Sequence, residues 1–311
     1  MAIQLLSLHK HQHGPTMNTL EQLRTGQLSD AREIKIVDGL SEFPREIFAL
    51  ADTLEVLDLS GNALSALPDD FARLHKLRIF FASNNHFTEV PEVLSQCPAL
   101  SMVGFKANRI RHLSGQALPA QLRWLILTDN ALTALPSDIG RCTQLQKLML
   151  AGNQLSTVPP ELAACQRLEL LRLSANHLSA LPDWLLRMPR LTWLACGGNP
   201  FGEAAETHTR HSSPIAHIAW SDLQLQQQLG EGASGIIHQA LLNTPQGPRP
   251  VAVKLFKGAV TSDGWPHTEM AISLRAGTHP QLIPAMGQIT GHPSGTQGLV
   301  MPLIDPVMRN L

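Results

Sequence analysis

Tyrosine is missing altogether from the 311-residue chain, so tyrosine phosphorylation has no acceptor anywhere in it. Neither sign of charge is in excess: 24 Lys and Arg face 25 Asp and Glu, a net charge of −1 with histidine neutral. Nucleic acid and anionic membrane are poor partners for such a balance, because surfaces that bind them are usually basic. No run of about 18 apolar residues occurs, so no transmembrane helix is expected. The opening stretch lacks a basic leader and a small-residue cleavage site, so no secretory signal is expected. Met17 reads as the natural start, and residues 1–18 as a disordered tail or mis-assigned start.

What the chain does have is a period. Asparagines fall at 62, 85, 108, 130, 153, 176 and 199, in steps of 23, 23, 22, 23, 23 and 23. A leucine frame travels with each. One copy runs Leu54-x-x-Leu57-x-Leu59-x-x-Asn62-x-Leu64-x-x-Leu67-Pro68-x-x-Phe71-x-x-Leu74. Further copies start at Leu77, Leu100, Leu122, Leu145 and Leu168, with a half copy from Leu191 and a degenerate first copy over 34–53. The L-x-x-L-x-L segment sends alternate side chains inward from a short strand. The asparagine turns the chain, and its amide can satisfy backbone groups of the adjacent coil. No coil buries its apolar edge alone, so stacking must stabilise the array. These residues resemble the leucine-rich repeat family. The resemblance implies an α/β solenoid of about seven repeats over 34–202, with residues 19–33 as a helical N-terminal cap.

All four cysteines index to this frame. Cys97, Cys142 and Cys165 take the +20 core position and Cys196 the +5 strand position, which makes them small buried hydrophobes. Their separation along the solenoid argues against disulfides or a zinc cluster. Unpaired cysteines without a signal point to a reducing, cytoplasmic compartment.

The strand positions that alternate away from the core carry the binding information. At +2 stand Val56, Ile79, Met102, Trp124, Lys147, Leu170 and Trp193; at +4 stand Asp58, Phe81, Gly104, Ile126, Met149, Arg172 and Ala195. An exposed stripe this apolar usually marks a binding surface. Phe81, Met102, Trp124, Ile126, Met149 and Trp193 are the expected contacts for a protein ligand on the concave face. Coverage of the stripe by the chain's own second domain, or by a second copy, is the other reading.

Residues 203–219 break the period. His208, His211 and His217 stand there among small polar residues, without the further ligands and rigid frame of a metal site, so the segment reads as a solvated linker.

Beyond it, residues 229–254 read LGEGASGIIHQALLNTPQGPRPVAVK. Gly230, Gly232 and Gly235 give G-x-G-x-x-G. Leu223, Leu225 and Leu229 alternate before them and Ile236 to Ala240 continues as a strand. A dinucleotide-binding fold would need a helix after the glycines; this is strand–turn–strand. Small residues let a hairpin backbone approach phosphates and donate N–H groups. PVAVKLF places Lys254 on a third strand. Residues 263–276 read as a helix, with Asp263 as cap, Pro266 in the first turn and Glu269 on it. His279-Pro280, a strand region with Leu282, Ile283 and Met286, and GLVMPLI at 298–304 follow.

Residues 220–311 thus resemble the N-terminal lobe of a protein kinase. The resemblance implies an α+β lobe, a five-stranded antiparallel sheet plus one helix, that binds ATP. Lys254 would pair the α- and β-phosphates and Glu269 would salt-bridge it. Leu229, Ile237 and Ala252 would sandwich adenine, Met301 would be the gatekeeper, the Pro302 carbonyl would accept from the adenine amine, and the Ile304 N–H would donate to the ring. Nothing after the hinge matches the family's catalytic base, its Asn or its Asp-Phe-Gly metal ligand. The lobe is therefore expected to be truncated before the C-lobe and inactive as written, with Mg²⁺ bound only if a C-lobe is present. The whole resembles bacterial-type cytosolic leucine-rich-repeat protein kinases, Ser/Thr-directed. The alternative is a non-catalytic repeat scaffold with a degenerate kinase-like lobe.

Overall fold

The computed structural model describes residues 18–202, 216–232, 234–258, 261, 264–275 and 283–304. The expected start at Met17, the cap at Asp263, His208, His211, His279-Pro280, Leu282 and the segment after Ile304 lie outside these residues. The chain divides into two compact units, Met1–Ile126 and Leu127–Leu311.

The first unit opens with a short helix, α1 (Leu20–Arg24), closed by a capping box in which Thr19 and Gln22 exchange side-chain to backbone hydrogen bonds. It is shorter than the 19–33 cap expected from sequence, because the chain turns at Gly26, whose φ of 73° no helix accommodates. Five three-residue strands follow: β1 (Glu33–Lys35), β2 (Val56–Asp58), β3 (Ile79–Phe81), β4 (Met102–Gly104) and β5 (Trp124–Ile126), each parallel to the next. The second unit adds β6 (Lys147–Met149), β7 (Leu170–Arg172) and β8 (Trp193–Ala195), paired the same way. The middle residue of each strand points into the coil: Leu57, Phe80, Leu148 and Leu171 are fully buried.

The opposite side of each coil is a short 3-10 turn. Those at Glu92–Gln96, Ser137–Arg141 and Pro160–Ala164 are each entered through a proline in extended conformation. About five residues are too few for a stable α-helix, and the tighter i→i+3 turn fits the space. In the first unit the coils are also threaded by phenylalanine: Phe71 meets Phe80 edge-on at 5.1 Å and Phe80 meets Phe105 at 5.7 Å.

Asparagines tie neighbouring coils together. Asn176 Oδ1 accepts from the Leu155 N–H of the preceding coil at 3.0 Å, while its Nδ2 donates to Leu150 O at 2.9 Å and to Leu173 O at 3.0 Å. Asn62, Asn85, Asn153 and Asn199 repeat the pattern. The residue before each asparagine sits in the left-handed region, as Gly61, Asn84, Ala107, Asp129, Gly152, Ala175 and Gly198.

The second unit also contains a six-stranded sheet: β9 (His217–Ala219), β10 (Leu223–Glu231), β11 (Gly235–Thr244), β12 (Gly247–Phe256), β13 (Gly287–Thr290) and β14 (Gly298–Pro302), in the order β10-β11-β12-β14-β13-β9. A helix, α2 (Pro266–Arg275), lies in sequence between β12 and β13. The expected five-stranded antiparallel sheet is corrected to a mixed one, because β9 runs parallel to β13. Its residues fell within the segment read as linker. One face is cored by Leu223, Ala240, Leu242, Val251, Val253, Ile289 and Val300. On the other face Phe256, Met270 of α2 and Leu299 pack together.

Candidate functional site

Alternation along β12 sends Val251 and Val253 to the core face and Ala252, Lys254 and Phe256 to the face that α2 partly covers. Directly opposite neighbours share a face, so Ile237 on β11 and Leu299 on β14 flank Lys254, and Gln239 and Met301 flank Ala252. Ile237, Ala252, Lys254 and Met301, each singled out from sequence, therefore lie on one surface.

Lys254 Nζ pairs with Glu269 Oε1 of α2. The side chains are 16% and 30% exposed, so the pair is largely shielded from water. Glu269 Oε2 is buried without a hydrogen-bond partner. The ammonium also stands 4.7 Å from the centre of the Phe256 ring. Phe256 was missed from sequence, although its place two residues beyond Lys254 puts it on the same face.

The glycines are not equivalent. A Cβ on Gly235 would fall 2.5 Å from the Leu255 carbonyl oxygen and 3.4 Å from Lys254 Cε, so only glycine lets β11 lie this close to β12. A Cβ on Gly230 or Gly232 would meet nothing within 4 Å, which leaves the backbone there open to an approaching group. The turn is closed by the Gly232 N–H donating to Gly235 O at 2.9 Å, and beneath it Lys257 pairs with Glu231. The hydrogen bond from Lys257 holds the Glu231 carboxyl below its ordinary range. This pair was not anticipated from sequence.

The rim of the site is less enclosed. Leu229 lies at a register shift in β10 and is exposed, as is Ile304 after β14; Pro302 is half-buried. Helix α2 begins at Pro266, a residue suited to a first turn, which makes Trp265 the residue that precedes it. Ile283 is exposed before β13 and Met286 packs against the core, so β13 starts later than the apolar residues suggested.

On the repeat strands, the stripe is less exposed than expected. Phe81, Met102, Trp124, Ile126, Met149 and Trp193 are all half-buried. Phe81 lies across the strand: a Cβ on Gly104 would be 2.6 Å from Phe81 Cδ1, so the ring fills the space the missing side chain leaves. In the second unit Lys147 and Leu170 are buried, and the Arg172 guanidinium stands 6.0 Å from the Trp193 ring. Burial lowers the pKa of Lys147. Cys97, Cys142 and Cys165 are buried as the frame required, while Cys196 is half-buried; among the described residues no group of acidic, His and Cys side chains could hold a metal ion. No helix among them is long and apolar enough to cross a membrane.

Comparison with known proteins agrees with the repeat geometry. Leucine rich repeat family models match residues 120–178, 143–201 and 53–74. The chain is 30% identical over 125 residues to the PH domain leucine-rich repeat protein phosphatase 1 of Rattus norvegicus, covering 39% of this chain and 7% of that protein. It is 33% identical over 105 residues to the probable inactive serine/threonine-protein kinase roco10 of Dictyostelium discoideum, covering 32% and 4%. The chain thus spans less than a tenth of the length of either relative. Among solved structures, a leucine-rich repeat protein of Leptospira interrogans is similar with a TM-score of 0.47 and 26% identity, covering 56% of this chain and 51% of that one. Residues 53–74 and 120–201 thus carry leucine-rich repeats.

Proposed function

We propose that the lobe from β9 to β14 binds ATP as the N-terminal lobe of a protein kinase, and that the repeats hold the protein on which the kinase acts. The observation that carries this reading is the Lys254–Glu269 pair, set between β12 and α2. A half-buried carboxylate that holds a lysine beside a glycine turn is how a cation is kept in place for phosphate oxygens. The open space at Gly230 and Gly232 supports the same use, since no side chain there keeps a phosphate from the backbone.

The residues present fit the nucleotide. Lys254 would meet the α- and β-phosphates, and Gly230 and Gly232 would lie over them. Ala252 and Ile237 offer an apolar floor for the base, with Leu229 above. Met301 flanks that floor, and the Pro302 carbonyl and Ile304 N–H are the polar groups for the purine edge. Phosphoryl transfer requires in addition a base and a metal carrier from further chain, and Mg²⁺ enters only with them. On this reading the protein works in the cytoplasm and is Ser/Thr-directed.

Titration with a fluorescent ATP analogue tests the proposal. Micromolar binding that Lys254→Met abolishes, at a temperature where its melt shows the variant still folded, is the expected result. No binding by the parent protein, or equal binding by Lys254→Met, would refute it and leave the repeat scaffold as the function.

A further inference from the structure

The last repeat and the start of α2 meet at one glycine. A Cβ on Gly198 would fall 2.6 Å from Trp265 Cδ1 and 2.8 Å from Trp265 Nε1, so the indole ring rests where a side chain would be. Backbone conformation favours glycine there without excluding a side chain. Gly198 holds φ of 74°, but the equivalent places in two other coils are Ala107 and Ala175, each at φ of 53°. What distinguishes Gly198 is the ring. A second contact lies beside it: a Cβ on Gly264 would be 3.0 Å from Ser174 Cβ, in the preceding coil. Thr261, fully buried, fixes that approach by donating from N at 2.8 Å and Oγ1 at 2.9 Å to the Gly264 carbonyl.

Trp265 also faces the other way. Its carbonyl accepts the Glu269 N–H at 3.2 Å, the hydrogen bond that closes the first turn of α2. One residue therefore has its side chain seated on the repeats and its backbone bonded to the residue whose carboxylate pairs with Lys254. We infer that Trp265 is a positioning residue: seated on Gly198, it sets the first turn of α2 and so holds Glu269 against Lys254. The repeat array thereby tunes the affinity of the lobe for its anionic ligand. Removing the seat lets the turn relax, and the ammonium loses its fixed place. Linkage requires the converse, so occupancy of the lobe tightens the seat.

This inference rests on the nucleotide reading above, and the experiment separates the two. Binding of an N-methylanthraniloyl ATP probe is followed by anisotropy for the parent protein, Lys254→Met, Gly198→Ala, Trp265→Ala and Trp265→Phe, each checked by its thermal melt. Amide hydrogen exchange over 266–275 is measured on the same proteins without probe. Trp265→Ala and Gly198→Ala should weaken binding roughly five- to tenfold, the range of a modest coupling between sites, and speed exchange in the first turn of α2. Trp265→Phe, which keeps an aromatic on the seat, should restore both. If Lys254→Met loses binding while Trp265→Ala binds as the parent does, the positioning role is wrong and the nucleotide reading stands. If Trp265→Ala loses binding with α2 protection unchanged, the effect does not pass through the helix and the inference also falls. If the parent binds no probe, the nucleotide reading fails and exchange alone decides: unchanged protection in Trp265→Ala overturns the coupling.

Discussion

The Lys254 ammonium on β12 and the Glu269 carboxylate on α2 form an ion pair across fifteen residues of sequence. Only Oε1 of the carboxylate is engaged, and Oε2 is buried without a partner. Losing the charge on either side thus leaves a shielded ion behind, which costs more than losing a pair on the surface.

Glu269→Gln keeps the shape and removes the charge. ATP affinity should fall by roughly tenfold or more, as expected when one charge-assisted hydrogen bond of about 1.5–3 kcal/mol is lost. Calorimetric titration of the variant against the parent checks it; an unchanged dissociation constant would separate the pair from any ligand.

Asn176 is 2% exposed and bonds to Leu150, Leu155 and Leu173. Asn176→Ala orphans buried backbone groups in two coils and should destabilise the array by about 2–4 kcal/mol. Urea unfolding measures it, and a shift of less than about 1 kcal/mol would mean that water replaces the amide.

The thiols of Cys97, Cys142 and Cys165 are pushed by burial from 9.0 to about 11, 11 and 12. The native fold therefore keeps protons that the unfolded chain releases. The sign follows: this contribution is complete below about pH 9 and declines as pH rises from there towards 12. Unfolding midpoints taken across pH 8 to 11 should fall, and fall less in Cys165→Ala once its own cavity cost is subtracted. In the native protein a thiol reagent should modify Cys196 well before the other three.

Trp124→Ala and Trp193→Ala should each reduce capture of the cellular protein ligand while leaving the array folded, since truncating an aromatic anchor often costs roughly 2 kcal/mol or more. Quantitative comparison of the proteins retained by each variant is the check. Identical sets at identical amounts would move the ligand off these strands.

The repeats were legible because their information is local and periodic: each asparagine and leucine is repeated, so the frame averages over errors. Lys254 and Glu269 were legible because alternation and a helix start fix them. The half-burial of Phe81 was not legible, because its ring fills the space over Gly104, which the neighbouring coil sets rather than the position itself. Strand β9 was missed for a similar reason. Its three residues have little preference of their own and become a strand by pairing with β13, far along the chain. The seating of Trp265 on Gly198 has no periodic counterpart, and no pattern in either segment announces it.

Strand β9 has one more consequence. It takes the outer place beside β13 and pairs with Gln288, Ile289 and Thr290, so the backbone of that strand is covered. The other end is β10, whose Leu223–Glu231 run is dominated by glutamine. Exposed strand margins invite pairing between molecules, and natural sheets blunt them. A protein shortened to begin after Ala219 would lose that blunting, and its first failing would be self-association along β13 rather than loss of the fold.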